Sequence, residues 1–147
     1  MLDISIKTFD QLSLEELYCL LQLRSEVFII EQDCVYQDID GKDQISLHVI
    51  GKNNNTIVAY TRLFKQGDYF NEASIGRVVV DKNVRHLKYG SSIMKASIIA
   101  IKNHFGTSKI KISAQLYLKG FYNSFGFKSI GDSYLEDGIP HIGMVIN

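Results

Sequence analysis

Arg85, His86, Lys88, Gly90, Ser91 and Ser92 follow directly on an apolar, strand-type run from Ile75 to Val80 and open a helix-patterned segment. A strand, a tight polar loop and a helix start, in that order, converge backbone N–H groups on one spot where the helix dipole also favours negative charge. A phosphate group is the natural guest. Gly90 lets the backbone approach such an anion closely, and Lys88 adds a positive charge beside it. Further along, Phe121 and Phe125 form an apolar helical stripe and Tyr122 stands one position off it, where a phenol can act as a proton donor.

Other chemistry-bearing residues are less organised. The segment from Glu31 to Asp43 has no hydrophobic period and carries five carboxylates against one lysine, so it reads as an acidic loop suited to a cationic partner or simply to water. Cys34 lies within it, among carboxylates that raise a thiol's pKa, and reads as an ordinary loop cysteine. His48, His86, His104 and His141 have no metal-ligand spacing with one another or with Cys19 and Cys34, so no metal site is expected. A Gly-x-Gly-x-x-Gly run and a Gly-Lys-Ser/Thr run are both absent, which removes the usual dinucleotide and P-loop signatures.

The elements that position these residues follow from periodicity. Ile4 to Thr8 alternates as a first strand. Ser13 and Glu16 form a capping box for a helix reaching about Ile30, with Leu14, Leu17, Leu21, Val27 and Phe28 on its expected core face. Ser46 to Gly51 and Thr56 to Phe64 flank an asparagine-rich turn as a hairpin. Ala73 to Val80 ends in three valines, which marks a central strand covered on both faces. A helix from Gly90 to Phe105 is capped by Gly106. Lys109 to Ala114 is a strand, Leu116 to Phe125 a short helix stopped by Gly126, and Phe127 to Ser133 and Ile142 to Ile146 are closing strands joined through Glu136 to Pro140. The expected architecture is a three-layer α/β/α domain over residues 1–147, with a central mixed, mostly antiparallel sheet.

Composition narrows the partners. Lys plus Arg equal Asp plus Glu at 16 each, so no overall field favours nucleic acid or an anionic membrane. The chain shows neither a leader pattern at its start nor an apolar run near the roughly 18 residues of a membrane span, and a cytoplasmic location with reduced thiols is expected. A homodimer is compatible with this reading.

Two segments resemble the paired signatures of the GNAT superfamily of acyl-CoA N-acyltransferases. The family's phosphate loop, Arg/Gln-x-x-Gly-x-Gly/Ala, reads here Arg85-His86-Leu87-Lys88-Tyr89-Gly90, with Lys88 in place of the first glycine. Its second motif, Asn-x-x-Ala-x-x-Phe-Tyr-x-x-x-Gly-Phe, is matched by Gln115, Leu118, Phe121, Tyr122, Gly126 and Phe127. Val27 to Gln32, Tyr36 to Gly41 and Asp137 to Met144 are similar to the ElaA-like branch of that superfamily.

The resemblance implies an N-acetyltransferase that moves an acetyl group from acetyl-CoA to a primary amine of a small molecule or peptide by direct attack, with no metal. It implies that the strands around the phosphate loop splay to admit the pantetheine arm. Backbone N–H groups of Val78, Val79 and Val80 would hold that arm and polarise the thioester, and Gln115 would contribute to cofactor binding. The run Arg85, His86, Leu87, Lys88, Tyr89, Gly90, Ser91 and Ser92 would hold the pyrophosphate, and Tyr122 would protonate the departing thiolate. Glu31, Asp38, Arg77 and His141 are the expected acceptor-side residues. Many relatives place a Glu in the central strand as base; here Arg77 takes a polar position there, leaving Glu31, Glu72 or a water chain. The alternative is a non-catalytic CoA-binding sensor or protein-interaction module, against which the retained Tyr122 argues.

Overall fold

A computed structural model describes residues 1–147. One mixed sheet of seven strands runs in the order β1-β2-β3-β4-β5-β7-β6. The strands are β1 (Asp3–Thr8), β2 (Leu47–Asn53), β3 (Thr56–Phe64), β4 (Ala73–Val80), β5 (Ile110–Gln115), β6 (Lys128–Glu136) and β7 (Ile139–Ile146). Only β4 and β5 pair in parallel; every other neighbouring pair is antiparallel. The parallel step is made by the crossover through α2 (Tyr89–Phe105), the connection such a pair requires.

Helices cover both faces of the sheet. On one face Leu20, Leu23, Val27 and Phe28 meet Ile50, Ile57, Tyr60 and Val79. On the other, Ile93, Met94 and Ile101 of α2 and Tyr122 of α3 (Lys119–Asn123) meet Val49, Leu63, Ile75 and Ile112. The expected three-layer α/β/α architecture is therefore present. Its first helix differs in detail. Leu14, expected on the core face, is 88% exposed, and the buried stripe runs through Leu20 and Leu23 instead.

The first helical segment is also of two kinds. α1 (Leu14–Arg24) is followed without a break by a π-helical turn, Ser25–Glu31. There Gln32 N–H donates to Val27 O at 3.1 Å, and Cys34 N–H to Ile29 O at 3.1 Å, five residues back rather than four. Such wide turns cluster at functional sites. The turn brings Phe28, Glu31 and Gln32 onto the wall of a single cavity. Sequence periodicity gives helix over this stretch but cannot distinguish its winding.

The tail of the sheet is more regular than expected. The connection from Glu136 to Pro140, read as a joining segment, is a two-residue turn. Asp137 and Gly138 both take left-handed angles (φ 51° and 76°) and link β6 directly to β7, so Tyr134 stands opposite His141.

The capping box at the start of α1 forms as expected. Glu16 N–H donates to Ser13 Oγ and Ser13 N–H to Glu16 Oε1, each at 3.0 Å. The same carboxylate accepts from Lys7 of β1 and Lys52 of β2, which ties the helix start to the sheet. Burial opposes ionisation of Glu16, but Lys7, the Ser13 backbone and Lys52 outweigh it and hold the carboxyl at about 2, below its ordinary 4.5. A depressed folded pKa adds stability above the unfolded value and loses it as pH falls through the folded one, here between about 4.5 and about 2. Denaturant titrations of Glu16→Gln should show a loss of about 3 kcal/mol at neutral pH relative to wild type. That difference should shrink to nothing below about pH 2.

Candidate active site

β4 and β5 are held together only at Ala73–Ile110 and Ser74–Lys111. Beyond these positions the strands diverge, and the gap opens into a cavity of about 710 Å³. A bulge in β4 widens the irregularity: Arg77 and Val78 together oppose the single residue Thr61, and Arg77 takes a left-handed φ of 49°. The bulge lies in the pairing with β3, whereas on its β5-facing edge β4 has no ladder partner beyond Ser74, so the backbone donors there are available to a guest.

The cavity passes through the sheet. Strand alternation sends Ile110, Ile112 and Ala114 into the α2-side core, so Ser113 and Gln115 face the α1 side. By the same rule Ile142 and Met144 of β7 point to the α2 side and His141 points away from it. On the α2 side the wall is made by Lys88, Gly90, Ser91, Leu118, Phe121 and Tyr122. On the α1 side it is made by Tyr36, Arg77, Ser113, Glu136 and His141, while Gln32 and Gln115 join their side-chain amides through hydrogen bonds of 2.9 and 3.2 Å.

On the α2 side the polar loop is a 3-10 helix, Lys82–Leu87, ended by Lys88 at φ 60°, ψ 29°. That left-handed geometry is the reason a glycine suits this position; Lys88 takes it with the strain a side chain brings. Gly90 has an ordinary φ, and a methyl group there would meet Phe121 at 3.6 Å, a normal contact. The protein itself therefore leaves room for a side chain at position 90, and the cavity is what a side chain would enter. Of the residues expected to hold the cofactor, Val78, Val79, Val80, Arg85, Lys88, Gly90, Ser91 and Gln115 line the cavity, whereas His86, Leu87, Tyr89 and Ser92 do not. Tyr89 turns into the α2-side core, and His86, Leu87 and Ser92 are exposed.

Arg85 departs from its expected part. Its guanidinium is engaged by the Glu31 carboxylate, with Nη2 to Oε1 at 2.8 Å, and its Nε donates to Val80 O at 3.1 Å. The Glu31 partner lifts the Arg85 pKa further, and Arg85 in turn lowers that of Glu31. Lys88, unlike Arg85, carries no ion pair and lines the cavity.

The acidic segment is corrected more strongly. Asp38 is not on the cavity wall; its carboxylate lies 2.8 Å from Arg24 Nε and 2.7 Å from Arg77 Nε. Asp43 bridges Arg24 and Arg62, and Asp40 pairs with Arg62 and Arg77. Three aspartates and three arginines neutralise one another, with Arg24 and Arg62 almost wholly buried. Burial favours the neutral acid at Asp40, but Arg62, the Lys42 amide and Arg77 prevail and hold it at about 2. The segment is a structural lattice, not an acidic funnel.

Tyr122 is only 6% exposed and faces the cavity. Burial raises its pKa and Tyr117 adds to the rise, with no hydrogen bond entering on either side, so the phenol keeps its proton at neutral pH. Cys34 is buried, lines the cavity, and donates its thiol proton to Asp137 O at 3.1 Å.

Residues 9–147 match the acetyltransferase (GNAT) domain. The chain belongs to the GNAT acetyltransferase family. Among its relatives, protein ElaA of Escherichia coli (strain K12) is 43% identical over 136 residues, spanning 91% of this chain and 89% of ElaA. The crystal structure of E. coli ElaA superposes with a TM-score of 0.93 at 40% identity and full coverage of both chains. That of an acyl-CoA N-acyltransferase from Pseudomonas aeruginosa gives 0.93 at 37% identity, covering 99% of each. The GNAT fold is thereby shown, and membership of the family supports acyl transfer in general terms. No helix of the protein is long and apolar enough to cross a membrane.

Glu136, Ser113 and Tyr134 were not singled out from the sequence. Their signal was the Asp137-Gly138 dipeptide, a strong two-residue hairpin marker that fixes the register of the strands on either side.

Two substitutions separate backbone from ligand effects in the loop. Lys88→Gly should be more stable than Lys88→Ala by about 1 kcal/mol in denaturant titrations, because both lose the charge and only glycine relieves the left-handed strain. Gly90→Ala should keep or raise the melting temperature while weakening acetyl-CoA binding in calorimetry.

Proposed function

We propose that this protein transfers an acetyl group from acetyl-CoA to a primary amine of a small molecule or peptide, by direct attack of the amine on the thioester. The observation that carries the reading is the splay of β4 from β5, which opens a passage from the helix start at Lys88 and Gly90, past Tyr122, to a polar wall on the other face. A phosphate end, a narrow slot and a polar chamber in that order suit a long CoA thioester with an acceptor on the far side. The donor set fits. Backbone N–H groups of the α2 start and the Lys88 ammonium suit a pyrophosphate, and the β4 edge from Val78 to Val80 suits the pantetheine amides and the thioester oxygen. The P. aeruginosa relative named as an acyl-CoA N-acyltransferase supports the same chemistry.

Within that geometry Tyr122 is the acid. Its phenol is protonated, makes no hydrogen bond within the protein, and faces the slot where a thiolate departs. The acceptor chamber is the wall formed by His141, Glu136, Arg77 and Gln115; Glu31 lines the same cavity but is held by Arg85, and Asp38 lies off the wall, paired with Arg77. A carboxylate at Glu136 suits a cationic amine.

Thiol release from acetyl-CoA, measured with monoamines, diamines, amino sugars and lysine-containing peptides, tests the reading. Amine-dependent release with an acetylated product is expected. Tight acetyl-CoA binding without turnover of any amine would instead identify the chain as a CoA-binding sensor or interaction module. With a turned-over amine, Tyr122→Phe should lower kcat by about 10²- to 10⁴-fold. Acetyl-CoA affinity and melting temperature should stay near wild type, because the phenol that is removed has no protein partner.

A further inference from the structure

The acyl-transfer reading leaves one proton without a destination. An amine reaches neutral water as an ammonium ion and must lose a proton before its lone pair can attack. The acid, Tyr122, lies on the α2 side of the sheet, so the amine arrives from the α1 side and its proton must be taken there.

The carboxylates suggested by sequence are not available. Glu31 is engaged by Arg85, Asp38 and Asp40 are held by arginines, and Glu72 does not line the cavity. Asp137 sits on the exposed hairpin turn, with no protein group to orient its carboxylate. What remains on the α1-side wall is an ordered chain of groups ending in an imidazole. His141 Nδ1 lies 2.7 Å from the carbonyl oxygen of Ile139. A carbonyl only accepts, so Nδ1 carries the hydrogen and Nε2 of the neutral ring presents its lone pair. That lone pair lies 3.5 Å from Glu136 Oε2, at the cavity wall. The other Glu136 oxygen accepts from Ser113 Oγ at 3.2 Å, and Ser113 in turn accepts from the Tyr134 hydroxyl at 2.5 Å. Tyr134 also stacks on the His141 ring, with centroids 6.2 Å apart.

We propose that His141 is the general base of this transfer, with Glu136 as the positioning residue that docks the ammonium group and then stabilises the imidazolium. The inference rests on the acyl-transfer reading. The ammonium gives one proton to His141 Nε2. Its freed lone pair forms the C–N bond to the thioester carbon, the C–S bond breaks, and the departing sulfur takes the Tyr122 proton. The second nitrogen proton restores the phenol, and His141 returns its proton to water, so one amide, one thiol and one proton leave. An imidazole suits this task at neutral pH better than a carboxylate does. The groups facing His141 are Glu136, Tyr134 and Asp137 from β6 and its turn, Ser113 and Gln115 from β5, and Tyr36, Cys34 and Arg77 along the wall. The Arg77 charge is already taken by Asp38 and Asp40. Tyr69 lies near enough for Glu136 to reinforce the upward shift that burial gives its phenol, so it too stays neutral.

Long-range 15N–1H spectra of the whole chain, together with kcat/KM against pH for a turned-over amine, decide the matter. His141 should appear as the Nδ1–H tautomer, and kcat/KM should rise along an acid limb. His141→Gln should lower kcat/KM by about 10²- to 10⁴-fold and flatten that limb, with calorimetric acetyl-CoA affinity unchanged. Glu136→Gln, on an exposed strand, gives an answer even if the buried His141 substitution impairs folding. It should raise the amine KM, because the carboxylate that docks the ammonium group is gone. An Nε2–H tautomer, or an unchanged acid limb in His141→Gln, or an unchanged amine KM in Glu136→Gln, each with amine acetylation intact, would overturn the assignment and leave acyl transfer standing. Absence of amine-dependent thiol release from the wild type would remove the acyl-transfer reading and this inference with it.

Discussion

Two strands in the middle of a sheet pair for two positions and then part. That divergence is the constraint around which the rest of the molecule is arranged, because a sheet opened at its centre exposes backbone donors and acceptors that need partners. The β4 bulge, in the pairing with β3, adds a second irregularity to the same strand, with Arg77 in a left-handed conformation that costs about 1–2 kcal/mol for a residue with a side chain. Strain and unpaired backbone at one place mark a site kept for something other than stability.

The opening survives because it is spanned on both faces. On one side, α2 and α3 pack Ile93, Met94, Ile101 and Tyr122 against strands from both halves of the sheet. On the other, the Gln32–Gln115 amide pair joins the π-helical turn to the end of β5. Behind that turn, Arg24, Arg62 and Arg77 fasten Asp38, Asp40 and Asp43 to the helix and to β3 and β4. Arg24, Arg62, Asp38 and Asp43 are buried, and Arg77 and Asp40 are partly exposed. Removing one partner from such a lattice leaves an uncompensated buried charge, at a typical cost of about 3–5 kcal/mol. The lattice therefore fixes one conformation of the segment beside the α1-side cavity wall, although it adds little to stability over a well-packed apolar alternative.

Much of this was legible in the residues. Alternation, apolar runs and turn signals together placed the seven strands, the capping box at Ser13 and Glu16 marked the first helix, and Gly106 marked the end of the second, because each depends on local spacing. The phosphate-loop and Phe-Tyr motifs gave the family, and with it the splay that local propensity could not supply. Long-range pairing was hidden. Five carboxylates between Glu31 and Asp43 look like a charged surface until Arg24, Arg62 and Arg77 arrive from elsewhere in the chain. Arg85 likewise looks like a phosphate ligand until Glu31 reaches it across 54 residues. The Glu136–His141 pair depended on recognising Asp137-Gly138 as a tight turn, which alone sets Tyr134 against His141.

The central physical claim is that the acyl donor threads the sheet, with the departing sulfur and the incoming amine on opposite faces. Crystals of the protein grown with acetyl-CoA test it most directly. The account predicts pantetheine density between β4 and β5, pyrophosphate oxygens at the start of α2, the sulfur beside Tyr122 and the acetyl group directed toward His141. Acetyl-CoA lying along an outer face of the sheet, with β4 and β5 unoccupied between Ile75 and Val80, would contradict it.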